Sequence, residues 1–176
     1  RCPRHEGRVT FIPATSARRS STAIGTSPTS SLARAYAQLN EGEIAEILTQ
    51  RFSNCTAGET SKQLVEFLWD RIYTLNIDDA IENAYEIKGG QQTIDALTHK
   101  SPYVNAQDIN QLQIVHVHGL ARKPEDGYVF SLADYASNMG PGSAWISVLA
   151  QTIATQPFII AGTGLEEPDL EYFLTG

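Results

Sequence analysis

Short apolar segments separated by helical patterns are the feature of this 176-residue sequence that most limits its fold. Such segments, rich in β-branched and aromatic residues, are typical of strands. They are Val9–Ile12, Arg71–Leu75, Ile114–His118, Tyr128–Phe130 and Phe158–Ala161. Because apolar strands that alternate with helices form parallel sheets with helices on both faces, we expect an α/β fold.

The intervening stretches show apolar residues at three- and four-residue spacing, which predicts helices. They cover residues 32–48 (with a break near Gly42), 60–69 with Thr60 as N-cap, a stretch after Asp79 that buries Ile81, Ala84 and Tyr85, and residues 143–155. Residues 89–110 are polar and rich in turn formers, so we expect a flexible excursion there.

Charge and composition exclude several classes of protein. The formal charge of −7 argues against a general binder of nucleic acids or anionic membranes. No apolar run approaches the roughly 20 residues of a membrane span. The two cysteines, Cys2 and Cys55, form neither a disulfide framework nor a CxxC zinc pair, so we expect a reducing, cytoplasmic location and no zinc.

The first 31 residues differ from the rest. They are basic, and ten of the eighteen residues in 14–31 are Ser or Thr, which predicts an irregular segment. Residues 32–176 are the expected folded domain. The sequence starts at Arg1, has Met139 as its single methionine and stops after an apolar helical pattern, so we expect a fragment of a longer protein.

Ligands of parallel sheets collect at the carboxyl ends of the strands. That rule selects residues 74–79, 118–119 and 162–165, each of which follows a predicted strand. At the first place, Asn76 and Asp78 are two residues apart, and an extended backbone would point both side chains to one side. An amide and a carboxylate together can bind a ribose. The alternative is that Asn76 makes a turn and Asp78 caps the following helix.

At the second place, the imidazole of His118 is a candidate general base, and Gly119 permits close approach of another group. On a continuous strand His116 would face the same way as His118, but a metal site needs further ligands. A buried, hydrogen-bonded histidine is the open alternative for either residue.

At the third place, Gly162, Thr163 and Gly164 open a helix after an apolar strand. Their N–H groups could receive a phosphate, but Glu166 and Glu167 add negative charge, so contact with a sugar or adenine fits better. An ordinary strand-to-helix turn is the alternative.

Taken together, the segments resemble the sirtuin-like family. Thr74-Leu75-Asn76-Ile77-Asp78 resembles its Thr-x-Asn-x-Asp signature, and His118-Gly119 its catalytic His-Gly. Asp134-Tyr135, residues 160–165 and Pro168-Asp169-Leu170 resemble later motifs of its zinc-free prokaryotic branch.

The resemblance implies a Rossmann-like domain that uses NAD⁺ as substrate. Asn76 would position the nicotinamide ribose and water, and His118 would be the general base. Thr74, Asp78, Gly162, Thr163 and Gly164 would contact the cofactor. The zinc-free branch also implies NAD⁺ hydrolysis in bacterial anti-phage defence, with a sensor domain or homo-oligomerisation as activator. From charge and composition, we expect no direct nucleic-acid partner and no membrane partner.

One stretch departs from the family pattern. Where a Gly-Ala-Gly-x-Ser loop is expected after the first strand, residues 13–16 read Pro-Ala-Thr-Ser. Pro13 lacks an N–H donor, and the missing glycines hinder close backbone approach, so we expect a degenerate first strand and phosphate loop. An impaired nucleotide-sensing or assembly module is therefore the alternative to a hydrolase. NAD-dependent protein deacylation is a third possibility.

Overall fold

A computed structural model describes residues 9–12, 39–105, 108–130, 134, 136–137 and 143–161. The strands in these residues are β1 Val9–Ile12, β2 Arg71–Thr74, β3 Thr93–Thr98, β4 Gln111–His116 and β5 Phe158–Ile160. The predicted irregular segment 1–31 (apart from β1), the phosphate-loop stretch and the residues from Gly162 onward lie outside the described residues.

The described strands form one parallel sheet in the order β3-β4-β2-β1-β5. β1 pairs with β2 on one side and with β5 on the other, so the strand order changes direction at β1. In doubly wound sheets, this switch point is where ligands bind beyond the carboxyl ends of the strands. The predicted Rossmann-like α/β fold is confirmed, and β1 is a paired member of the sheet.

Two of the described helices begin at an N-cap side chain that accepts from the first turn. The α-helices whose bounds lie in the described residues are α1 Glu41–Phe52, α2 Glu59–Leu64, α3 Ala80–Lys88 and α4 Ala144–Thr155. A capping box between Asn40 and Glu43 starts α1, and the Ser143 hydroxyl accepts from the Ile146 N–H to start α4.

The helix predicted from Thr60 to Trp69 is shorter than expected. Its N-cap is Gly58 rather than Thr60, and it ends at Leu64. The indole N–H of Trp69 donates to the Leu64 carbonyl at 2.8 Å, which satisfies the helix end and lets the chain turn toward β2. Val65 and Trp69 are buried, but they lie in the segment that follows the helix and are not part of its apolar face.

Side chains that alternate along β2 and β4 build a core on each face of the sheet. Tyr73 and Val115 pack against Trp145 and Leu149 of α4. Ile72 and Ile114 face the opposite way, into a second core that contains buried residues of α3. Helix α4 therefore covers one face of the sheet and helix α3 covers the other, which confirms the prediction of helices on both faces.

The prediction of a flexible excursion at residues 89–110 was wrong in part, because it contains β3. β3 is an outer strand that pairs with β4 along its whole length. Its sequence includes only two large apolar residues, Ile94 and Leu97, since an outer strand needs less apolar surface than a central one. The polar residues that suggested a loop are those of a partly exposed edge.

The prediction of a strand at Tyr128–Phe130 was also wrong. These residues lie outside the five-stranded sheet of the described residues. A hydrogen bond from the Val129 N–H to the His118 carbonyl (3.1 Å) holds the segment. The rings of Tyr128 and Phe130 stack with their centroids 5.7 Å apart.

None of the helices in the described ranges is both long and apolar enough to cross a bilayer.

Candidate functional site

The carboxyl ends of β2 and β4 lie side by side, with Thr74 opposite His116. The segments that follow remain joined by backbone hydrogen bonds. Val117 donates to the Thr74 carbonyl (2.9 Å), and Ala121 donates to the Ile77 carbonyl (2.8 Å). The tertiary structure thus brings the segments that carry Asn76 and His118 to the same edge of the sheet.

Asn76 is held through its main chain. Its N–H donates to the Thr74 hydroxyl at 3.0 Å, and its carbonyl lies 2.8 Å from Nδ1 of His116. Its side-chain Oδ1 is buried, and no described residue donates to it. A buried amide oxygen without a donor is costly, so a group that supplies a donor there would bind favourably.

Thr74, predicted to contact the cofactor, is fully buried. Its hydroxyl supports the loop by accepting from Asn76, and its backbone carbonyl accepts from Val117. Both bonds act within the protein, so the structure gives Thr74 a supporting role in the geometry of the edge.

The N-cap of helix α3 is Asp79, and the Asp78 carboxylate just before it contacts the first turn. Its Oδ1 accepts from the Ala80 N–H at 3.1 Å. Partial burial raises the pKa of Asp78 above its ordinary value, and the Glu82 and Asp79 carboxylates act in the same direction. The Ala80 hydrogen bond and His116 oppose that rise in pKa. The Ala80 hydrogen bond engages one carboxylate oxygen, so a ribose contact through the other is compatible with this geometry.

His118 lies in a turn beyond β4, because the strand ends at His116 rather than at His118 as predicted. The two histidines are therefore not neighbours on one continuous strand. His118 is 7% exposed, and its carbonyl accepts from Val129.

Gly119 is required by the backbone. Its φ is +96°, and a Cβ there would lie 2.4 Å from the Gly127 carbonyl oxygen. The group that approaches Gly119 closely is thus the protein's own returning chain. This packing holds residues 127–129 against the turn that contains His118.

His116 is fully buried and has a partner that the sequence analysis missed. Its Nε2 lies 2.6 Å from Oε1 of Glu82 in the first turn of α3. Glu82 was overlooked because acidic residues in a first turn are usually explained by the helix dipole. The available signal was the position of His116 between two apolar residues of a buried strand, which calls for a buried polar partner.

His99 is a second histidine that the sequence analysis missed. It follows β3 directly, is 4% exposed, and its Nδ1 has no hydrogen-bond partner among the described residues. Burial lowers the pKa of His99, and the nearby Lys100 and His118 lower it further, against the opposing effect of Asp126. Imidazoles thus follow the neighbouring strands β3 and β4 at the same edge of the sheet.

Asp79 stabilises one wall of the edge. Its fully buried carboxylate accepts from the N–H groups of Asn54 (2.7 Å) and Cys55 (2.8 Å), and it pairs with Nε of Arg122 at 3.2 Å. Burial raises the pKa of the Cys55 thiol, as do the Asp78 and Asp79 charges. A raised pKa keeps the Cys55 thiol in its protonated form, which is the less nucleophilic one.

The remaining predicted site residues, Gly162, Thr163 and Gly164, lie outside the described residues. Within the described ranges, no group of three His, Cys, Asp or Glu side chains could hold a metal ion. The described site therefore offers an amide, a carboxylate and imidazoles. These groups can orient a polar substrate and accept a proton from water.

Comparison with known proteins gives one positive result. A search of curated proteins finds no match to this chain. The family model described as "SIR2-like domain" matches residues 70–176, a range that begins just before β2 and includes the edge with Asn76 and His118. Because the match covers more than half of the 176 residues, the chain belongs to the SIR2-like domain family.

Proposed function

We propose that this chain is an NAD⁺ hydrolase that releases nicotinamide and ADP-ribose. Family membership implies a sirtuin-like function that involves NAD. The observation that carries the finer proposal is the hydrogen-bonded junction between the segments after β2 and β4, which brings Asn76 and His118 to one edge beside the switch point of the sheet. An amide and an imidazole at one edge suit the orientation and deprotonation of water.

In the proposed reaction, the bond between ribose C1′ and the nicotinamide nitrogen breaks, and nicotinamide leaves with the electron pair. The oxygen of a water molecule bonds to C1′, and one proton of that water passes to the His118 imidazole. The products are nicotinamide, ADP-ribose and one proton. The Asn76 amide orients the ribose hydroxyls and the water, and its orphan Oδ1 is a suitable acceptor for either.

The sugar carbon becomes cation-like as the bond breaks, so oriented dipoles in a shielded site stabilise the transition state. The buried Oδ1 of Asn76 is such a dipole among the described residues. Asp78 holds α3 in place and offers its second carboxylate oxygen to the ribose. By the family resemblance, we assign contacts with the adenosine part of NAD⁺ to Gly162, Thr163 and Gly164.

The test is chromatography of NAD⁺ incubated with the wild-type chain, Asn76→Ala and His118→Ala. Lys62→Ala is the control, because Lys62 pairs with Glu59 on an exposed surface of α2. Loss of a general base lowers rates by about 10²–10⁴-fold, so His118→Ala should fall by that factor while Lys62→Ala should not. In H₂¹⁸O, the label should enter ADP-ribose and not nicotinamide.

Three results would contradict the proposal. Equal product formation by wild type and both site variants would remove the assigned roles. Saturable NAD⁺ binding in calorimetry without turnover would favour the nucleotide-sensing or assembly module. Consumption of NAD⁺ only in the presence of an acylated peptide would favour the deacylase.

The resemblance to the zinc-free branch extends the proposal to a cytoplasmic effector of anti-phage defence that is activated by a sensor domain or by self-association. Expression of the wild-type chain should lower cellular NAD⁺ during phage infection and reduce plaque formation. The His118→Ala chain should do neither.

A further inference from the structure

The ring of His116 connects three elements of the fold. It sits at the last position of β4, fully buried. Its Nδ1 is 2.8 Å from the Asn76 carbonyl oxygen in the loop after β2, and its Nε2 is 2.6 Å from Oε1 of Glu82 in α3. Both ring nitrogens are thus engaged, and the contact with Glu82 is buried.

The chemistry of the two partners determines where the protons lie. A carbonyl oxygen only accepts, so Nδ1 of His116 must carry a hydrogen and donate it to Asn76. One further proton is then shared between Nε2 and the Glu82 carboxyl. Whether it sits on nitrogen or on oxygen, the pair has no net charge, which is the arrangement that burial favours.

This donation completes the restraint of the Asn76 main chain. The N–H of Asn76 is held by the Thr74 hydroxyl at 3.0 Å, and its carbonyl is held by His116. With both backbone groups engaged, the main chain from which the side-chain amide projects is restrained. The side-chain Oδ1 of Asn76 receives no hydrogen bond from any described residue.

We propose that the buried His116–Glu82 pair is a positioning device that holds the Asn76 amide in its reactive orientation. The inference rests on the proposed function, since it assigns a purpose to the orientation of Asn76. Glu82 fixes the hydrogen on Nδ1 of His116, and His116 transmits that restraint to the loop. Neither residue touches the substrate.

Two substitutions at His116 separate the contacts. In His116→Asn, the amide nitrogen takes the place of Nδ1 and can still donate to Asn76, but it is too short to reach Glu82. In His116→Gln, the longer amide reaches Glu82 in place of Nε2 and loses the contact with Asn76. Each variant keeps one of the two hydrogen bonds.

The measurements are kcat and KM for NAD⁺ hydrolysis, NAD⁺ affinity by calorimetry, and amide hydrogen exchange of residues 75–78. Misplacement of a reacting group by about 1 Å can cost about 100-fold in rate. We therefore expect His116→Gln to lower kcat about 100-fold, with little change in affinity and with faster exchange in the loop. His116→Asn should retain more kcat and a protected loop.

Gln92→Ala controls for the loss of stability. Gln92 is buried and bonds the Trp69 N–H and carbonyl and the Ile109 carbonyl, and it precedes the amino end of β3, at the opposite edge of the sheet. The Gln92→Ala variant should be less stable than the wild type but should not show the fall in kcat.

A second pair of variants, Glu82→Gln and Glu82→Ala, tests whether Glu82 fixes the hydrogen on Nδ1 of His116. The amide of Glu82→Gln can donate to Nε2 and keep the hydrogen on Nδ1, so it should retain more kcat than Glu82→Ala.

The outcomes distinguish this inference from the proposed function. Equal loop exchange in His116→Asn and His116→Gln, or equal kcat losses, would overturn the positioning role. The wild-type chain could fail to hydrolyse NAD⁺ while, of the two His116 variants, only His116→Gln shows fast exchange in the loop. That result would support the restraint of Asn76 and remove the proposed function. A fall in kcat for Gln92→Ala as large as that for His116→Gln would reduce the effect to general destabilisation and overturn the inference.

Discussion

Replacement of Gly119 by alanine tests how the turn after β4 is built. Two separate effects act at this residue. Its φ of +96° is unfavourable for a residue with a Cβ, at a cost of roughly 1–2 kcal/mol. The added Cβ would also lie 2.4 Å from the Gly127 carbonyl oxygen and 3.1 Å from the Tyr128 ring. Overpacking of this kind costs about 1–3 kcal/mol.

The free energy of unfolding of Gly119→Ala should thus fall by about 2–5 kcal/mol. That is a large share of the roughly 5–15 kcal/mol by which a domain is stable. For a chain of this size, the melting temperature falls by about 2–4 °C for each kcal/mol.

Gly89→Ala is the matched control, because Gly89 also has a positive φ, +71°, but an added Cβ would meet nothing within 4 Å. It should lose only the backbone contribution, about 1–2 kcal/mol. Urea unfolding of the wild type and both variants measures the difference. If Gly119→Ala proved no less stable than Gly89→Ala, the close approach of the Gly127 carbonyl would be refuted as the reason for glycine at this position.

Three further predictions concern charged and titratable residues. Asp79→Ala should lower the free energy of unfolding, measured by urea denaturation, by about 3–5 kcal/mol. The substitution leaves Arg122 and two backbone N–H groups without their buried acceptor. A loss below about 1 kcal/mol would contradict this account. His99 has a folded-state pKa below 6.5, so its unfolded form takes up a proton first and stability should fall as pH drops from 6.5 through the folded-state pKa. His99→Gln should flatten that slope in unfolding curves measured at several pH values, and an unchanged slope would remove His99 as its source. Asp78 has a folded-state pKa above 3.8, so its contribution to stability should decline as pH rises from 3.8 through the folded-state pKa. Asp78→Asn, which retains the oxygen that accepts from the Ala80 N–H, should abolish this decline, whereas a steeper decline would reverse the assigned sign.

The sequence alone determined the fold class and the edge at which to look for a site. Apolar segments such as Ile114–Val117 have few structural solutions once helices separate them, because a strand buried on both faces must lie inside a covered sheet. The rule that ligands meet at carboxyl ends then selected Asn76 and His118 without knowledge of the strand order. Their assignment to catalysis is still a prediction.

Tertiary structure decided which polar groups are partners. His116 and Glu82 are 34 positions apart, and local sequence patterns contain no information about contacts between a strand end and a helix on one face of the sheet. The same holds for β3, whose polar residues suggest a loop until pairing with β4 satisfies its backbone. Strand propensity at Tyr128–Phe130 was overruled by tertiary contacts, because the Val129–His118 hydrogen bond and the packing of Gly127 and Tyr128 against Gly119 hold this segment outside the sheet.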